Sequence, residues 1–227
     1  MTKQTISGYV KEHPVGNNKP TTGPFITISR QFGCSGYELA EIITSKLNDI
    51  CEGEVWKLYR KDILHKLAAE SGFSVEAIEK AKTERTGLLR DIFKNFRVNA
   101  TPDAYQVRSQ IAAIVRRLAT EGYAVIVGQG GAATTSEIKN GLSVRIEAPL
   151  QWRISKICQR ENIGKNEAAK RIEDVEKTRN YLRRTYWQTN PKQPAFNITI
   201  DNSVFNAEQA SEQIILAASQ LGLVLKK

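Results

Sequence analysis

Four small residues, Gly-Cys-Ser-Gly at positions 33–36, stand between a β-rich run and a run with helical spacing. Apolar residues recur after them at intervals of three and four, at Leu39, Ile42, Ile43 and Leu47. The pattern predicts a strand, a tight turn and a helix. Such a turn points several backbone N–H groups and the positive end of the helix at one place, which suits a phosphate group. The alternative is an ordinary strand-to-helix loop.

A Walker loop would also carry a Lys and a Ser or Thr at the start of the helix. Here Gly36, Tyr37 and Glu38 occupy those places, so the regular motif is absent. Phosphoryl transfer requires positive charge around the transferred group, and Arg30 is the nearest permanent cation. We predict that Arg30 partly replaces the missing lysine. Alternatively, Arg30 pairs with a surface acid.

Most of the excess positive charge lies in one helical segment. Residues 151–192 contain eleven Lys and Arg against five Asp and Glu, a net charge of +6. Its arginines are candidates for a lid that closes over phosphates and excludes water: Arg153, Arg160, Arg179 and Arg183. A solvated basic helix is the alternative. Nucleic-acid binding is a less favoured third interpretation, because aromatic and basic residues alternate over 181–187 without a recognised motif.

Two further groups near the loop have competing interpretations. A helix N-terminus would lower the pKa of Cys34 and make it a reactive thiol, although a small filler residue is the favoured interpretation. The oxygens available to a metal ion belong to Ser35, Glu38, Glu147 and Asp201, and none has a fixed motif spacing. The metal ligands are therefore not assigned.

The elements that must position these groups alternate along the chain. Apolar runs predict strands at about 25–30, 55–59, 123–127, 142–146 and 196–200, and helices separate them, including one from 102 to 122 and one from 207 to 221. This alternation predicts an α/β fold with a parallel sheet between helices. In such sheets ligands bind beyond the carboxyl ends of the strands, so residues 29–36, 128–131, Glu147 and Asp201 share one rim.

Composition limits the remaining possibilities. The 227 residues suffice for one α/β domain, preceded by a loosely held arm at 1–24, and the net charge of +9 indicates an anionic partner. No apolar run of about 18 residues and no secretory pattern is present, so we expect no membrane association. Three widely spaced cysteines suit the reducing cytoplasm, and the two histidines have no metal-ligand spacing.

The segment 29–36, Ser-Arg-Gln-Phe-Gly-Cys-Ser-Gly, resembles the opening of the cytidylate kinase-like family, a branch of the nucleoside monophosphate kinases. That family has Ser-Arg-Gln-aromatic-Gly-Ser-Gly-Gly in place of the lysine-bearing loop. Five later segments resemble further family motifs in the same order: Trp-Lys-Leu-Tyr-Arg-Lys-Asp-Ile-Leu at 56–64, Val-Ile-Val-Gly-Gln-Gly at 125–130, Ala-Pro-Leu-Gln-Trp-Arg at 148–153, Glu-Lys-Thr-Arg-Asn-Tyr at 176–181, and Phe-Asn-Ile-Thr-Ile-Asp-Asn-Ser at 196–203.

The resemblance implies a single P-loop kinase domain over residues 25–227. Its fold would be a three-layer α/β sandwich with a mainly parallel five-stranded sheet, a helical acceptor-binding insertion at about 60–121 and a basic lid at about 151–192. It implies transfer of the γ-phosphoryl group of ATP, with Mg²⁺, to a nucleoside monophosphate such as CMP. A phosphorylated small molecule is the expected partner.

The residues expected to perform these roles fall into three sets. Phosphoryl transfer is assigned to Arg30, Arg153, Arg179 and Arg183. Nucleotide binding is assigned to Gln31, Gly33, Cys34, Ser35, Gly36 and Arg160. Acceptor binding is assigned to Tyr59, Asp62, Arg85, Arg108 and Gln129.

Four positions depart from the family pattern. Arg60, Glu176 and Asn197 each stand where the family has Asp, and Gln129 stands where it has Arg. Related cytidylate kinases use that arginine to hold the acceptor phosphate, and a neutral amide cannot supply a charged, two-pronged hydrogen bond. The acceptor is therefore different or absent. In the latter case the protein is a catalytically silent module that binds a nucleotide or a phosphorylated metabolite.

Overall fold

The computed structural model describes residues 23–51, 53, 55–61, 104–189 and 195–224. Five strands form one sheet in the order β2-β3-β1-β4-β5. They are β1 (Phe25–Arg30), β2 (Lys57–Tyr59), β3 (Ala124–Val127), β4 (Gly141–Glu147) and β5 (Ile198–Asp201). All four neighbouring pairs are parallel. The carboxyl ends of the strands therefore lie at one edge.

Six helices are present in this part of the chain: α1 (Gly36–Ile50), α2 (Ala104–Glu121), α3 (Gly131–Thr134), α4 (Leu150–Glu161), α5 (Lys165–Thr189) and α6 (Ala207–Gln220). Helices α1 and α6 cover one face of the sheet, and α2 covers the other. The α/β architecture predicted from the sequence, with helices on both sides of a five-stranded parallel sheet, is confirmed.

The alternation of side chains along the strands explains the two faces. In β1, Ile26 and Ile28 are buried against α1 and α6, whereas Phe25 points to the α2 side. Along α1, Leu39, Ile43 and Leu47 repeat every four residues and are fully buried or nearly so. Each contributes roughly 1.5–3 kcal/mol by leaving water. This packing holds the start of α1 rigidly against the end of β1.

The helix α2 overlaps the predicted acceptor-binding insertion and packs on the sheet. It lies within residues 60–121, which the sequence analysis assigns to the acceptor-binding insertion, yet Ile111, Val115 and Leu118 pack it onto the sheet. It therefore belongs to the sandwich. The rest of the predicted insertion, residues 62–103, and most of the predicted arm, residues 1–22, lie outside the described residues.

Helices α4 and α5 pair beside the carboxyl edge of the sheet, and because they cover most of the predicted lid we call them the lid helices. They share a small core of Ile154, Ile157, Ala168 and Ile172, and Phe32 from the loop after β1 packs against it. The lid helices are thus attached to the loop through an aromatic ring. Of the helices within the described ranges, none is long and apolar enough to cross a membrane.

Candidate functional site

The carboxyl edge of the sheet collects the residues that the sequence points to. Pairing places Ile28 beside Val127, Arg30 beside Ile146, and Glu147 beside Asp201. The loop 31–36 and the turn 128–131 leave this edge next to each other because β1 and β3 are neighbours in the sheet. The order of the strands therefore brings segments about 100 residues apart into one site.

The loop between β1 and α1 uses several of its backbone N–H groups within the protein. Gln31 donates to the Ile146 carbonyl at 2.9 Å, and Cys34 donates to the Gln31 carbonyl at 3.3 Å. Two N–H groups bond side chains instead: Phe32 donates to Glu176 Oε1 at 2.6 Å, and Ser35 donates to Asn202 Oδ1 at 2.8 Å. The loop is thereby tied to α5 and to the segment after β5.

Other N–H groups of the same loop remain open. The first turn of a helix has N–H groups without an intrahelical acceptor, and the Ser35 side chain makes no capping bond to α1. Across the described ranges, no group accepts a hydrogen bond from the N–H of Gly33, Gly36, Tyr37 or Glu38. These donors, with the helix dipole behind them, suit an anion.

Arg153 supports the loop between β1 and α1 through hydrogen bonds to backbone carbonyls. Only 7% of it is exposed, and it donates from Nε to the Ala148 carbonyl at 2.9 Å and from Nη1 to the Phe32 carbonyl at 3.3 Å. A Cβ atom added at Gly33 would lie 2.9 Å from the Cβ of Arg153. Gln31 completes the support, because its Oε1 accepts from the Ala148 N–H at 3.0 Å. Arg153 therefore shapes the loop, with its guanidinium bonded to backbone carbonyls.

Arg30 runs directly over the position where a Walker loop has its lysine. A Cβ atom added at Gly36 would lie 2.8 Å from Cγ of Arg30, and one added at Gly128 would lie 2.3 Å from its Nη1. The guanidinium also stacks on Tyr37, 4.6 Å from the ring centroid. Burial lowers the pKa of Arg30, and the contact with Tyr37 opposes that shift. Glycine at 36 and 128 thus leaves space for this arginine.

A cleft of about 90 Å³, which we call the arginine cleft, opens beside Arg30 at the edge of the sheet. It lies between the turn 128–131 and α5, and four arginines are among the residues that line it: Arg30, Arg145, Arg179 and Arg183. Two of them pair with carboxylates: Arg145 with Glu147 at 2.9 Å and Arg179 with Glu176 at 3.5 Å. The cleft therefore has two more positive charges than negative charges.

The predicted lid arginines occupy different positions. Arg179 donates to the Arg30 carbonyl at 3.1 Å and stacks on the Phe32 ring. Burial, and after it the charge of Arg30, lowers the pKa of Arg179 to about 10. Arg183 donates to Asn180 Oδ1, and burial followed by the charge of Arg145 lowers its pKa. Arg160 also stacks on the Phe32 ring, 5.3 Å from its centroid, and pairs with Glu161. Arg179 and Arg183 line the cleft, and Arg160 lies outside its lining.

The predicted acceptor residues are dispersed. Tyr59 is half-buried at the end of β2, against the core under α2. Arg108 is buried on α2, and Gln129 lines the arginine cleft with a left-handed backbone, at a φ of 53°. Asp62 and Arg85 lie outside the described residues. Gln129 is thus the candidate acceptor residue that the cleft contains.

Cys34 is a buried filler of the loop. Burial raises its pKa to about 11, and the charge of Arg153 opposes this shift only in part. This shift is opposite to the one that the reactive-thiol alternative requires, and it agrees with the filler role that the sequence analysis favoured. The thiol is therefore protonated at neutral pH.

Sequence reasoning missed Arg145 and Asn202. Arg145 is the one charged residue between Gly141 and Ile146 in an otherwise largely apolar strand, and a charge in such a strand is a usable signal because it needs a partner or a ligand. Asn202 lies in the last family-like segment, but its contact with Ser35 joins residues 167 positions apart. No spacing pattern reveals a contact of that kind.

In a comparison with protein families, the model of the cytidylate kinase-like family matches residues 25–204. The chain belongs to this family. Membership of the cytidylate kinase-like family supports a nucleotide kinase at the family level. The resemblance inferred from the six segments is thereby confirmed. A search of curated proteins found no match.

One of three similar solved structures shares the fold of this cytidylate kinase-like chain. An uncharacterized protein from Eubacterium ventriosum ATCC 27560 superposes with a TM-score of 0.62 at 18% identity, covering 87% of this chain and 98% of the other. Shikimate kinase from Acinetobacter baumannii, in complex with shikimate, gives a TM-score of 0.49 at 14% identity, covering 88% and 95%. TT1252 from Thermus thermophilus gives a TM-score of 0.43 at 13% identity, covering 86% of this chain and 97% of the other.

Proposed function

We propose that this protein is a kinase that transfers the γ-phosphoryl group of ATP to a nucleoside monophosphate such as CMP. The observation that carries the proposal is the path of Arg30. Its side chain crosses Gly36, at the place of the missing Walker lysine, and it joins open N–H groups at the start of α1 to the arginine cleft. A donor phosphate on the helix terminus and an acceptor phosphate in the cleft would therefore meet at one cation.

The proposed reaction depends mainly on position and charge. The N–H groups of Gly33 and of the first turn of α1 would hold the donor phosphates. Arg30 would stabilise the negative charge on the transferred group, and Arg179 and Arg183 would add charge from the lid helix while excluding water. Arg153 would act indirectly by holding the loop in shape.

Mg²⁺ is part of this proposal as the usual companion of ATP. No three His, Cys, Asp or Glu side chains are grouped to hold a metal ion within the described part of the chain. Mg²⁺ commonly keeps waters and binds one or two carboxylates together with substrate phosphates, so such a group is not required. Glu147 and Asp201, which are neighbours in register at the ends of β4 and β5, offer the oxygens for this role. When bound, the ion would offset the charge of the phosphates.

Two remaining features of the proposal concern the acceptor and the compartment. A neutral Gln129 lines the cleft, so the acceptor phosphate would depend on the surrounding arginines for its charge partners. CMP is the first acceptor to test. Cys34, Cys51 and Cys158 are all free thiols, which supports a reducing compartment such as the cytoplasm.

A coupled assay with ATP, Mg²⁺ and a panel of nucleoside monophosphates and other phosphorylated acceptors tests the proposal. We expect turnover with at least one acceptor and a loss of at least about 100-fold in Arg30→Ala, because a positioned charge donor is worth this much in comparable sites. The matched control is Arg117→Ala, since Arg117 is an exposed arginine on α2 paired with Glu121. Absence of turnover across the whole panel would contradict the proposal.

One observation favours a second candidate, a nucleotide-binding module without catalysis. The N–H groups of Phe32 and Ser35 are already bonded to Glu176 and Asn202, so part of the loop is committed to the protein itself. Calorimetric titration with ATP separates the candidates. Measurable nucleotide affinity with no turnover on any acceptor identifies the silent module.

A further inference from the structure

Arg145 is a buried cation near the carboxyl end of β4, and it is one of the residues that line the arginine cleft. It lies on β4, beside Ser29 of β1 in the pairing register, and only 5% of the residue is exposed. Burying a guanidinium is costly unless it is paired and hydrogen-bonded. Its position therefore calls for an account of its partners.

Only some of the N–H donors of this guanidinium form hydrogen bonds within the described part of the protein. Nε donates to Glu147 Oε1 at 2.9 Å, and Nη1 donates to Ser29 Oγ at 2.9 Å. The Phe196 ring covers it, with its centroid 5.8 Å from Cζ. Among the described residues, Nη2 has no hydrogen-bond acceptor, and the side chain lines the cleft. The contacts hold the planar group in one orientation and leave donors for a ligand.

The surrounding charges make that ligand an anion. Arg30, Arg179 and Arg183 line the same cleft, and the carboxylates of Glu147 and Glu176 neutralise two of the four arginines. The Glu147 side chain is 46% exposed, so part of its charge is screened by water. Burial is the main cause of the lowered pKa of each of the other three arginines, and the charge of Arg145 adds to the shift in each case. A phosphate dianion would balance the remaining two charges.

We infer that Arg145 binds the phosphate of the acceptor, and that it supplies the guanidinium that position 129 lacks. The inference rests on the proposed function and deepens it: the acceptor is a phosphomonoester whose phosphate enters the cleft. A cleft of about 90 Å³ is small, so it receives a phosphate group while the rest of the acceptor stays outside. A fixed guanidinium suits this task, because its parallel N–H groups match two phosphate oxygens.

Calorimetric titration with inorganic phosphate and with CMP tests the inference directly. We expect Arg145→Gln to weaken both by about ten-fold or more, the effect of losing a hydrogen bond to a charged group. Arg145→Lys keeps the charge but loses the fork, and it should give an intermediate loss. Arg117→Gln, which removes the same charge from an exposed helix, should leave both affinities unchanged.

A rescue variant addresses position 129. Gln129 lines the same cleft, so Gln129→Arg should recover most of the phosphate affinity in the Arg145→Gln background. This variant also separates a binding role from a structural one, because a merely structural arginine would not be replaced from the other side of the cleft. If Arg145→Gln fails to fold, Arg145→Lys with and without Gln129→Arg provides the same comparison.

The outcomes distinguish the acceptor site from the donor site and from the proposed activity. Affinity for ATP should change less than two-fold in Arg145→Gln; a loss for ATP with CMP unaffected would overturn the inference. Phosphate that does not bind the wild-type protein, or binds Arg145→Gln equally well, would also overturn it. The titrations need no turnover, so a protein that binds phosphate through Arg145 but transfers nothing would refute the kinase proposal alone.

Discussion

At the scale of single residues, Arg30 and Gly36 depend on each other. The methylene groups of Arg30 lie where a side chain at position 36 would begin, since an added Cβ would be 2.8 Å from Cγ. A lysine at 36 and an arginine at 30 therefore cannot both adopt these positions. Glycine at 36 is a condition for a cation that arrives from the strand instead of from the helix.

This exclusion predicts how the two positions respond to exchange. Arg30→Ala should lower the transfer rate by at least about 100-fold, and adding Gly36→Lys to it should restore about ten-fold or more, because the lysine regains its space. Gly36→Lys alone should be as impaired as Arg30→Ala. The rates of the three variants in a coupled ATP assay measure this. An additive loss in the double variant would refute the shared position.

At the scale of elements, α5 is attached to the loop after β1 by several contacts. Glu176 accepts from the Phe32 N–H, Arg179 donates to the Arg30 carbonyl, and the Phe32 ring packs into the core of the lid helices. These contacts join the loop to α5. If α5 closes over a nucleotide as proposed, it has to carry the loop with it or break these bonds.

The bond from Phe32 to Glu176 is the contact most open to a test. Glu176→Gln replaces a charged acceptor with a neutral one and should lower the free energy of unfolding by about 1 kcal/mol, with faster hydrogen exchange of the Phe32 amide. Chemical denaturation and amide exchange measure the two effects. Glu173→Gln is the control, because Glu173 pairs with Lys177 on the exposed side of the same helix. Equal exchange in both variants would count against the attachment.

At the scale of the whole molecule, part of the net charge of +9 lies at the carboxyl edge of the sheet. Four arginines converge on a cleft at the carboxyl edge of the sheet, and two of their charges are unpaired by carboxylates. Like charges held close together oppose folding. An anion that binds this cleft should therefore stabilise the fold.

Thermal unfolding tests this expectation. Phosphate at ten times its dissociation constant should stabilise the protein by about 1.4 kcal/mol, which corresponds to a rise in Tm of roughly 3–6 °C for a chain of this size. Chloride at the same ionic strength is the control, because general screening is then held constant. An equal rise with both salts would show that no specific anion site contributes.

The sequence by itself determined the order and type of most of the described elements, although not the short helix α3 or the break between α4 and α5. Strands and helices differ in hydrophobic period, and that period is local, so β1, β3, β4 and α6 were predictable within a few residues. The loop 33–36 and the excess charge after residue 150 were legible for the same reason. The parallel sheet followed from the alternation of elements, and with it the rim that holds the site.

Only the tertiary structure decided which arginines face the cleft. Arg153 belongs to a family-like motif, yet its guanidinium bonds the Ala148 and Phe32 carbonyls. Arg145 belongs to no quoted motif, yet it lines the cleft. Strand register sets the direction of Arg145, and helix packing sets that of Arg153. Both depend on contacts between distant segments, which residue types and spacing do not encode.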